Sequence, residues 1–122
     1  MGVLGNVECA KPGKELWEVL VPTVRNDGRP FHTRFHRVWD RKVEAISGGM
    51  TVFVPGKGAW VNEGQSIRER MIPVRVMCTR EQIEQIVDLT LEYYDQLAVM
   101  AYRVSDEIIL KHRAAKKGKN DV

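Results

Sequence analysis

The chain has 122 residues, of which 43% are hydrophobic and 29% charged, and its formal net charge is +3 at pH 7. This length fits one domain with its own core, and the composition excludes collagen-like, low-complexity and wholly disordered proteins. No apolar run approaches the roughly 18 residues of a membrane span, and the N-terminus lacks the apolar segment of a secretory signal. We therefore expect a protein that makes no membrane contact.

The positive charge is concentrated at the C-terminus. Residues 111–122 carry five lysines and arginines against Asp121 alone, which leaves the rest of the chain slightly negative. We expect residues 1–13 to be a flexible lead-in, residues 14–110 a single domain and residues 111–122 a basic flexible tail. No aromatic pattern accompanies the basic charge, so nucleic acid is not predicted as a partner.

The two cysteines, Cys9 and Cys78, are far apart and show neither CxxC nor Cys/His ligand spacing. Cys78 ends an apolar run typical of a strand, which favours a buried, reduced thiol. A disulfide between the two is not expected, and this use of cysteine favours a cytoplasmic protein.

The chain also lacks the glycine-rich phosphate loops of nucleotide cofactor sites, so no cofactor is predicted.

The first predicted strand is Glu15–Val21, which is dense in apolar side chains and ends before Pro22. The segment Thr23–Thr33 follows as a loop with turn-forming residues near its middle. Within it, Arg29 precedes a proline, which disfavours helical backbone at that residue.

A helix is predicted from about Phe31 to Ser47, because the bulky residues recur with helical spacing. Gly48 and Gly49 end it, since glycine adopts the left-handed cap without strain. The predicted apolar stripe comprises Phe35, Val38, Trp39, Val43 and Ile46, with the stem of Lys42 lying along it.

Two further strands are predicted to form a hairpin. Met50–Val61 is interrupted by Pro55-Gly56, a tight turn covers Asn62–Gln65, and Ser66–Cys78 returns as a long strand. Pro73 and Pro55-Gly56 each favour a bulge or an unpaired edge position, so the hairpin should be bent.

A second helix begins after Thr79, which forms a capping box with Gln82. It is expected to end at Asp95-Gln96. The apolar segment Leu97–Val104 is then predicted as a buried strand, and Glu107–Leu110 as a short extra strand.

The predicted order is β-α-β-β-α-β, which defines an α+β, ferredoxin-like domain with two helices on one face of an antiparallel sheet. Apolar residues occur on both sides of several predicted strands. The sheet face without helices should therefore be covered, and a second copy of the chain is the simplest cover. We accordingly predict a homo-oligomer, either a trimer or a dimer.

The stretch GGMTVFVPGKGAWVNEGQSIRERMIPVRVMC, followed by TREQIEQIVDLTLEYYDQLAVMAYRV, resembles a group of small bacterial and mobile-element proteins. The resemblance covers about residues 34–104. The group is similar in topology to the nitrogen-regulatory PII-like trimers, which hold nucleotides between subunits, and distantly to phage enzymes that degrade S-adenosylmethionine. The long loop between the middle strands of PII-like proteins is replaced here by Asn62–Gln65, and their nucleotide-binding motifs are absent from the sequence.

Glu69 is the main candidate for chemistry because it lies inside a strand-like run. In the predicted register Glu69 lies opposite Gly58, and Trp60 lies opposite Ile67. A partly buried carboxylate there could act as general acid or base, and the resemblance to S-adenosylmethionine-degrading enzymes also implies a glutamate in this strand. Trp60 could stack on a ligand and Arg68 could bind one. The alternatives are an ion pair of Glu69 with a neighbouring arginine and a packing role for Trp60.

The long first loop supplies the other candidate ligand-binding residues, Arg25, Arg29 and His32, which could overhang a cleft between subunits and contact phosphate or carboxylate groups. The same loop could equally be a solvated turn. His32, His36 and Asp40 recur every four residues, a spacing that could hold a divalent metal, but no further ligand cluster supports this and no metal site is predicted.

Three functions remain open on the sequence. The first is binding of a small molecule in a cleft between subunits. The second is a small lyase or hydrolase acting on a nucleoside-type substrate such as S-adenosylmethionine, with Glu69 as general base. The third is a structural or partner-binding module of a mobile element.

Overall fold

The structure, a computed structural model, describes residues 5–9 and 13–114. It contains two helices and a mainly antiparallel set of strands, which confirms the predicted α+β class. The elements, in chain order, are β1 (Gly5–Cys9), β2 (Lys14–Pro22), α1 (Thr33–Ser47), β3 (Thr51–Val52), β4 (Gly56–Asn62), β5 (Gln65–Thr79), α2 (Arg80–Tyr93), β6 (Ala101–Ser105) and β7 (Ile109–Arg113).

The main sheet has the strand order β3-β5-β2-β6, and β4 also pairs with β5. All of these pairings are antiparallel. The long strand β5 pairs with β4 near its start and with β2 along its second half. The predicted hairpin register is confirmed, because Trp60 lies opposite Ile67 and Gly58 opposite Glu69.

The core lies between one face of the main sheet and the two helices. Trp39 at its centre donates a hydrogen bond from Nε1 to Oγ1 of Thr90, 3.0 Å away on the other helix. Cys78 is free and fully buried, as predicted. The other buried apolar residues are Val19, Val21, Phe31, Val43, Val74, Val76, Ile83, Ile86 and Tyr94.

The helix ends follow the predicted local signals. Thr79 Oγ1 accepts a hydrogen bond from the Gln82 backbone N–H, and the Gln82 side chain accepts one from the Thr79 N–H, which confirms the capping box. Gly48 ends α1 with a φ of 92°, a left-handed conformation that favours glycine. The Gln82 amide also donates to the carbonyl of Ile46, 2.9 Å away, and so joins the start of α2 to the end of α1.

Two element boundaries differ from the predicted ones by two and four residues. Helix α1 begins at Thr33 rather than Phe31, because Phe31 lies in the core and its N–H pairs with the carbonyl of Thr23. The last strand of the main sheet begins at Ala101 rather than Leu97, and it is not a buried strand. Leu97 is fully exposed, because α2 ends at Tyr93, Asp95 turns the chain with a φ of 53° and the next strand begins only at Ala101.

Residues on both sides of the limits of the predicted domain form one further pair of strands. Strand β1 falls within the expected flexible lead-in and pairs with β7, which extends to Arg113 inside the expected tail. Neither segment is apolar enough to reveal this long-range backbone pairing in the sequence. The rest of the predicted lead-in and tail, residues 1–4, 10–12 and 115–122, lies outside the described residues.

Candidate functional site on the open face of the sheet

We call the side of the main sheet that faces away from the helices the open face. Successive side chains of a strand point to opposite faces, so residues between buried core positions lie on this side. Arg75 lies between the buried Val74 and Val76, and Glu18 precedes the buried Val19. Arg75 and Glu18 therefore both belong to the open face.

Glu18 is the centre of a polar cluster on the open face. Its carboxylate accepts a hydrogen bond from Nε of Arg75 at 2.9 Å and a short one from the hydroxyl of Tyr102. Both partners lie directly opposite Glu18, Arg75 on β5 and Tyr102 on β6. The Arg75 guanidinium also lies 5.1 Å from the ring centre of Phe53. Glu18 is only 6% exposed, so its charge is held inside the sheet surface.

The cluster fixes the protonation states of its members. Burial raises the pKa of Glu18, but the hydrogen bonds from Tyr102 and Arg75 and the positive charge of Arg75 outweigh burial and lower it overall. The hydrogen bond to Glu18 raises the pKa of Tyr102, and burial adds to this. At neutral pH the cluster is therefore a carboxylate held by a phenol and a guanidinium. No sequence prediction included this cluster, because the partners of Glu18 lie 57 and 84 residues away along the chain.

Glu69 and Trp60 lie further along the same face. The pairing of β5 with both β2 and β4 shows no register shift, so the side-chain alternation continues from Arg75 to Glu69. Gly58 lies opposite Glu69, so the β4 residue paired directly with the carboxylate has no side chain. Glu69 is half-buried and Trp60 is 46% exposed. A carboxylate beside a glycine can hydrogen-bond to a small ligand, and the indole of Trp60, two residues along the same strand, can stack on it.

The side chains of Arg68 and Glu69 point to opposite faces of β5, although both residues line one groove that Trp60 does not line. By the same alternation, Arg68 and Arg70 lie on the face opposite to Glu69, and both are exposed. A shallow groove of about 380 Å³ over the hairpin is lined by Lys57, Gly58, Ala59, Arg68, Glu69 and Arg70.

The predicted loop residues form a second group. Arg25 and His32 line a cavity of about 610 Å³ at the start of α1, and Arg25 and Arg29 line a neighbouring cavity of about 310 Å³. Neither cavity is lined by Trp60 or Glu69. Within one chain, therefore, the loop residues and the hairpin residues do not form one site.

The helix positions considered for a metal hold other contacts. Nδ1 of His36 lies 2.6 Å from the hydroxyl of Tyr94, and burial lowers the pKa of His36 despite the nearby charge of Asp40. Among the described residues, no three His, Cys, Asp or Glu side chains are grouped so that they could hold a metal ion.

Neither described helix is long and apolar enough to cross a membrane.

Comparisons with known proteins give the fold. No protein-family model matched the chain, and no curated protein did either. The chain is similar to a phage SAM lyase in complex with S-methyl-5'-thioadenosine, with a TM-score of 0.58, 14% identity and coverage of 85% of this chain and 92% of that one.

Two further solved structures share the same architecture. CutA from Synechococcus elongatus PCC7942 has a TM-score of 0.54 at 14% identity, covering 84% of this chain and 85% of its own. The periplasmic divalent cation tolerance protein CutA from Archaeoglobus fulgidus has a TM-score of 0.52 at 10% identity, covering 87% of this chain and 88% of its own. At such identities the similarity establishes the ferredoxin-like fold alone.

Proposed function

We propose that the protein is a homo-oligomer whose copies cover one another's open faces, and that it binds a small molecule in a cleft between copies. The observation that carries this proposal is the position of Glu69 and Trp60. They share the face of the sheet opposite the helices, and Gly58, which lies directly opposite Glu69 on the strand of Trp60, presents no side chain there.

The open face supports self-association through its composition. Phe53, Trp60 and Tyr102 are each between 41% and 46% exposed on the described chain, although aromatic rings gain most from burial. The buried Glu18 accepts a hydrogen bond from Nε of Arg75, which leaves the terminal amino groups of that guanidinium available to an acceptor on another copy. A trimer or a dimer would bury the rings and satisfy the guanidinium together.

The ligand class we favour is a nucleoside-type molecule. The phage SAM lyase of the same fold was solved in complex with S-methyl-5'-thioadenosine, an adenosine thioether. In this chain Trp60 would stack on the base and Glu69 would accept hydrogen bonds from hydroxyl or amino groups. Arg25, Arg29 and His32 would reach this cleft only from a neighbouring copy, and Arg68 would approach it from the far side of the hairpin.

The second candidate is an enzyme at the same place, a lyase that acts on S-adenosylmethionine. As general base, Glu69 would accept one proton from the substrate carbon chain. The electrons of that C–H bond would form a carbon–carbon double bond, and the pair from the broken carbon–sulfur bond would return to the sulfonium sulfur. The products would be a neutral thioether and an unsaturated amino acid. The same fold in the phage SAM lyase favours this candidate over a hydrolase.

The test measures assembly and ligand binding on the full chain. Light scattering gives the oligomer mass, and thermal shift and calorimetry with S-methyl-5'-thioadenosine give binding. Glu69→Gln should weaken binding at least tenfold while the oligomer mass stays unchanged, and it should abolish any release of thioether from S-adenosylmethionine. Glu92→Gln, on the exposed side of α2, is the matched control.

Each function predicts a different result. A binder shows affinity without turnover, and a lyase shows turnover that depends on Glu69. A monomeric chain in dilute solution would refute the cleft itself. Loss of the oligomer in Glu69→Gln, with no ligand bound by the parent protein, would favour the structural module instead. The cytoplasm stays our proposed location, on the grounds of cysteine use.

A further inference from the structure

A cationic cavity lies at the start of α1, away from the open face. Its volume is about 610 Å³, within the range of small-molecule sites. Three of its eight lining residues are the arginines Arg25, Arg34 and Arg37, and His32 is a fourth basic side chain. None of the eight is Asp or Glu. The charged lining of this cavity is therefore entirely basic. The neighbouring cavity differs, because both arginines and the carboxylates of Asp27 and Asp95 line it.

The loop before α1 holds Arg25 in place. The Arg25 N–H donates to the carbonyl of Arg29 at 2.7 Å, and the Arg25 carbonyl accepts from the Gly28 N–H at 2.9 Å. Its guanidinium lies 4.7 Å from the ring centre of Phe31 and 5.3 Å from that of Phe35. A guanidinium fixed in this way needs little further ordering to bind an anion.

The nearby carboxylates do not neutralise these arginines. The carboxylate of Asp27 forms an ion pair with the Arg29 guanidinium at 2.8 Å and accepts a hydrogen bond from the Arg29 backbone N–H at 3.0 Å. It also interacts electrostatically with Arg25. Asp40 interacts electrostatically with Arg37, but its interaction with His36 is the larger one. Among the described residues, Arg25, Arg34 and Arg37 form no ion pair.

An aromatic wall completes the cavity. The rings of Phe35 and Tyr93 stack with their centres 4.2 Å apart, and the Tyr93 hydroxyl donates to the Phe35 carbonyl at 2.8 Å. The wall is therefore rigid and apolar, whereas the arginines supply several donors in fork geometry. This combination suits an anionic group attached to a small carbon skeleton.

We propose that this cavity binds a phosphorylated small molecule, with Arg25, Arg34 and Arg37 around the phosphate and the Phe35–Tyr93 wall against its carbon part. The cavity shares neither Glu69 nor Trp60 with the cleft proposed above, and it has Arg25 and His32 in common with that cleft only where a neighbouring copy supplies them. Phosphate matches the arginines because its oxygens accept paired N–H donors. A phosphate free in solution or carried on an organic molecule presents the same chemistry, so the test separates the two.

The experiment titrates the full chain calorimetrically with phenyl phosphate, inorganic phosphate and phenol at low ionic strength. We expect phenyl phosphate to bind more tightly than inorganic phosphate, and phenol not to bind. The double variant Arg34→Gln/Arg37→Gln should weaken phenyl phosphate binding at least tenfold. Arg41→Gln, on the same helix but outside the cavity lining, should change it less than twofold. All of these side chains are exposed, so the variants should keep the parent melting temperature.

Several outcomes would overturn the proposal. The first is that neither phenyl phosphate nor inorganic phosphate binds. The second is that Arg41→Gln weakens phenyl phosphate binding as much as the double variant does. The third is that phenyl phosphate binds no more tightly than inorganic phosphate. A DNA oligonucleotide serves as a further probe. If it binds the parent protein, binds the double variant more weakly, and phenyl phosphate does not bind, the arginines form a nucleic-acid site instead. Trp60→Ala should leave phenyl phosphate binding unchanged, so a failure of the cleft proposal can be distinguished from a failure of this one.

Discussion

Arg75 donates a hydrogen bond from Nε to Oε1 of Glu18 across 2.9 Å, from the strand directly opposite. The carboxylate is almost completely buried, whereas the arginine side chain is 41% exposed. Tyr102 donates to the other carboxylate oxygen from the third strand. Three neighbouring strands are thus joined through one ionised side chain on the open face.

This relationship predicts an acid-dependent loss of stability. The pKa of Glu18 is lowered in the folded state from its ordinary value of 4.5, so folding favours the ionised form. The stabilisation is complete above that ordinary value and is lost as the pH falls through the folded pKa. Glu18→Gln should lower the free energy of unfolding by about 1–3 kcal/mol at pH 7, and the difference from the parent should shrink towards pH 3.

The measurement is urea unfolding at a fixed protein concentration at pH 7, 5 and 3, because assembly also affects apparent stability. Glu92→Gln serves as an exposed control and should follow the parent at every pH. A pH-independent difference between Glu18→Gln and the parent would contradict the assigned lowered pKa.

Gly58 provides a test of the hollow beside Glu69. A Cβ atom there would lie 3.8 Å from the Glu69 carbonyl oxygen and 4.0 Å from Cγ of Met71, which are ordinary contacts. Gly58→Val should therefore fold, since valine suits a strand, but its side chain would fill the space over β5. We expect S-methyl-5'-thioadenosine to bind at least tenfold more weakly, as measured by calorimetry.

The control is Gly56→Val, two residues along the same strand, where an added Cβ meets nothing within 4 Å. This variant should retain most of the affinity because Gly56 lies opposite Met71 rather than Glu69. Equal effects of the two valines would count against a ligand site centred on Glu69.

Trp60 reports whether the open face is covered in solution. Of the three tryptophans, Trp39 is 1% exposed and Trp17 is half-buried, whereas Trp60 is 46% exposed on the isolated chain. If copies associate through the open face, acrylamide quenching should be weak at high protein concentration and should increase on dilution. Trp60→Phe should remove the concentration-dependent part. Quenching that stays constant across the dissociation range seen by light scattering would place Trp60 outside the interface.

The features that the sequence predicted well depend on short-range signals. The capping box at Thr79 needs only Gln82 three residues away, and the hairpin register follows from the length of its turn. The buried positions of α1, among them Trp39 and Val43, follow from helical spacing. The bulge or unpaired edge position expected at Pro73 was wrong, because Pro73 lies opposite Leu20 in a register without a shift.

The features that were missed depend on contacts between distant residues. The partners of Glu18 are 57 and 84 residues away, so nothing beside it in the sequence reveals the cluster. The pairing of β1 with β7 joins the two ends of the described chain in the same way.

The hydrogen bond between the two helices offers a stability test that is separate from both proposed sites. Thr90 is fully buried, accepts from Nε1 of Trp39 at 3.0 Å and donates to the carbonyl of Ile86 at 2.6 Å. Thr90→Val keeps the shape but leaves the indole N–H without a partner, which should cost about 1–3 kcal/mol in the free energy of unfolding. Thr90→Ser keeps the hydroxyl and loses one methyl group, so it should cost about 1 kcal/mol. Urea unfolding ranks the two variants, and a less stable serine variant would show that packing outweighs the hydrogen bond at this position.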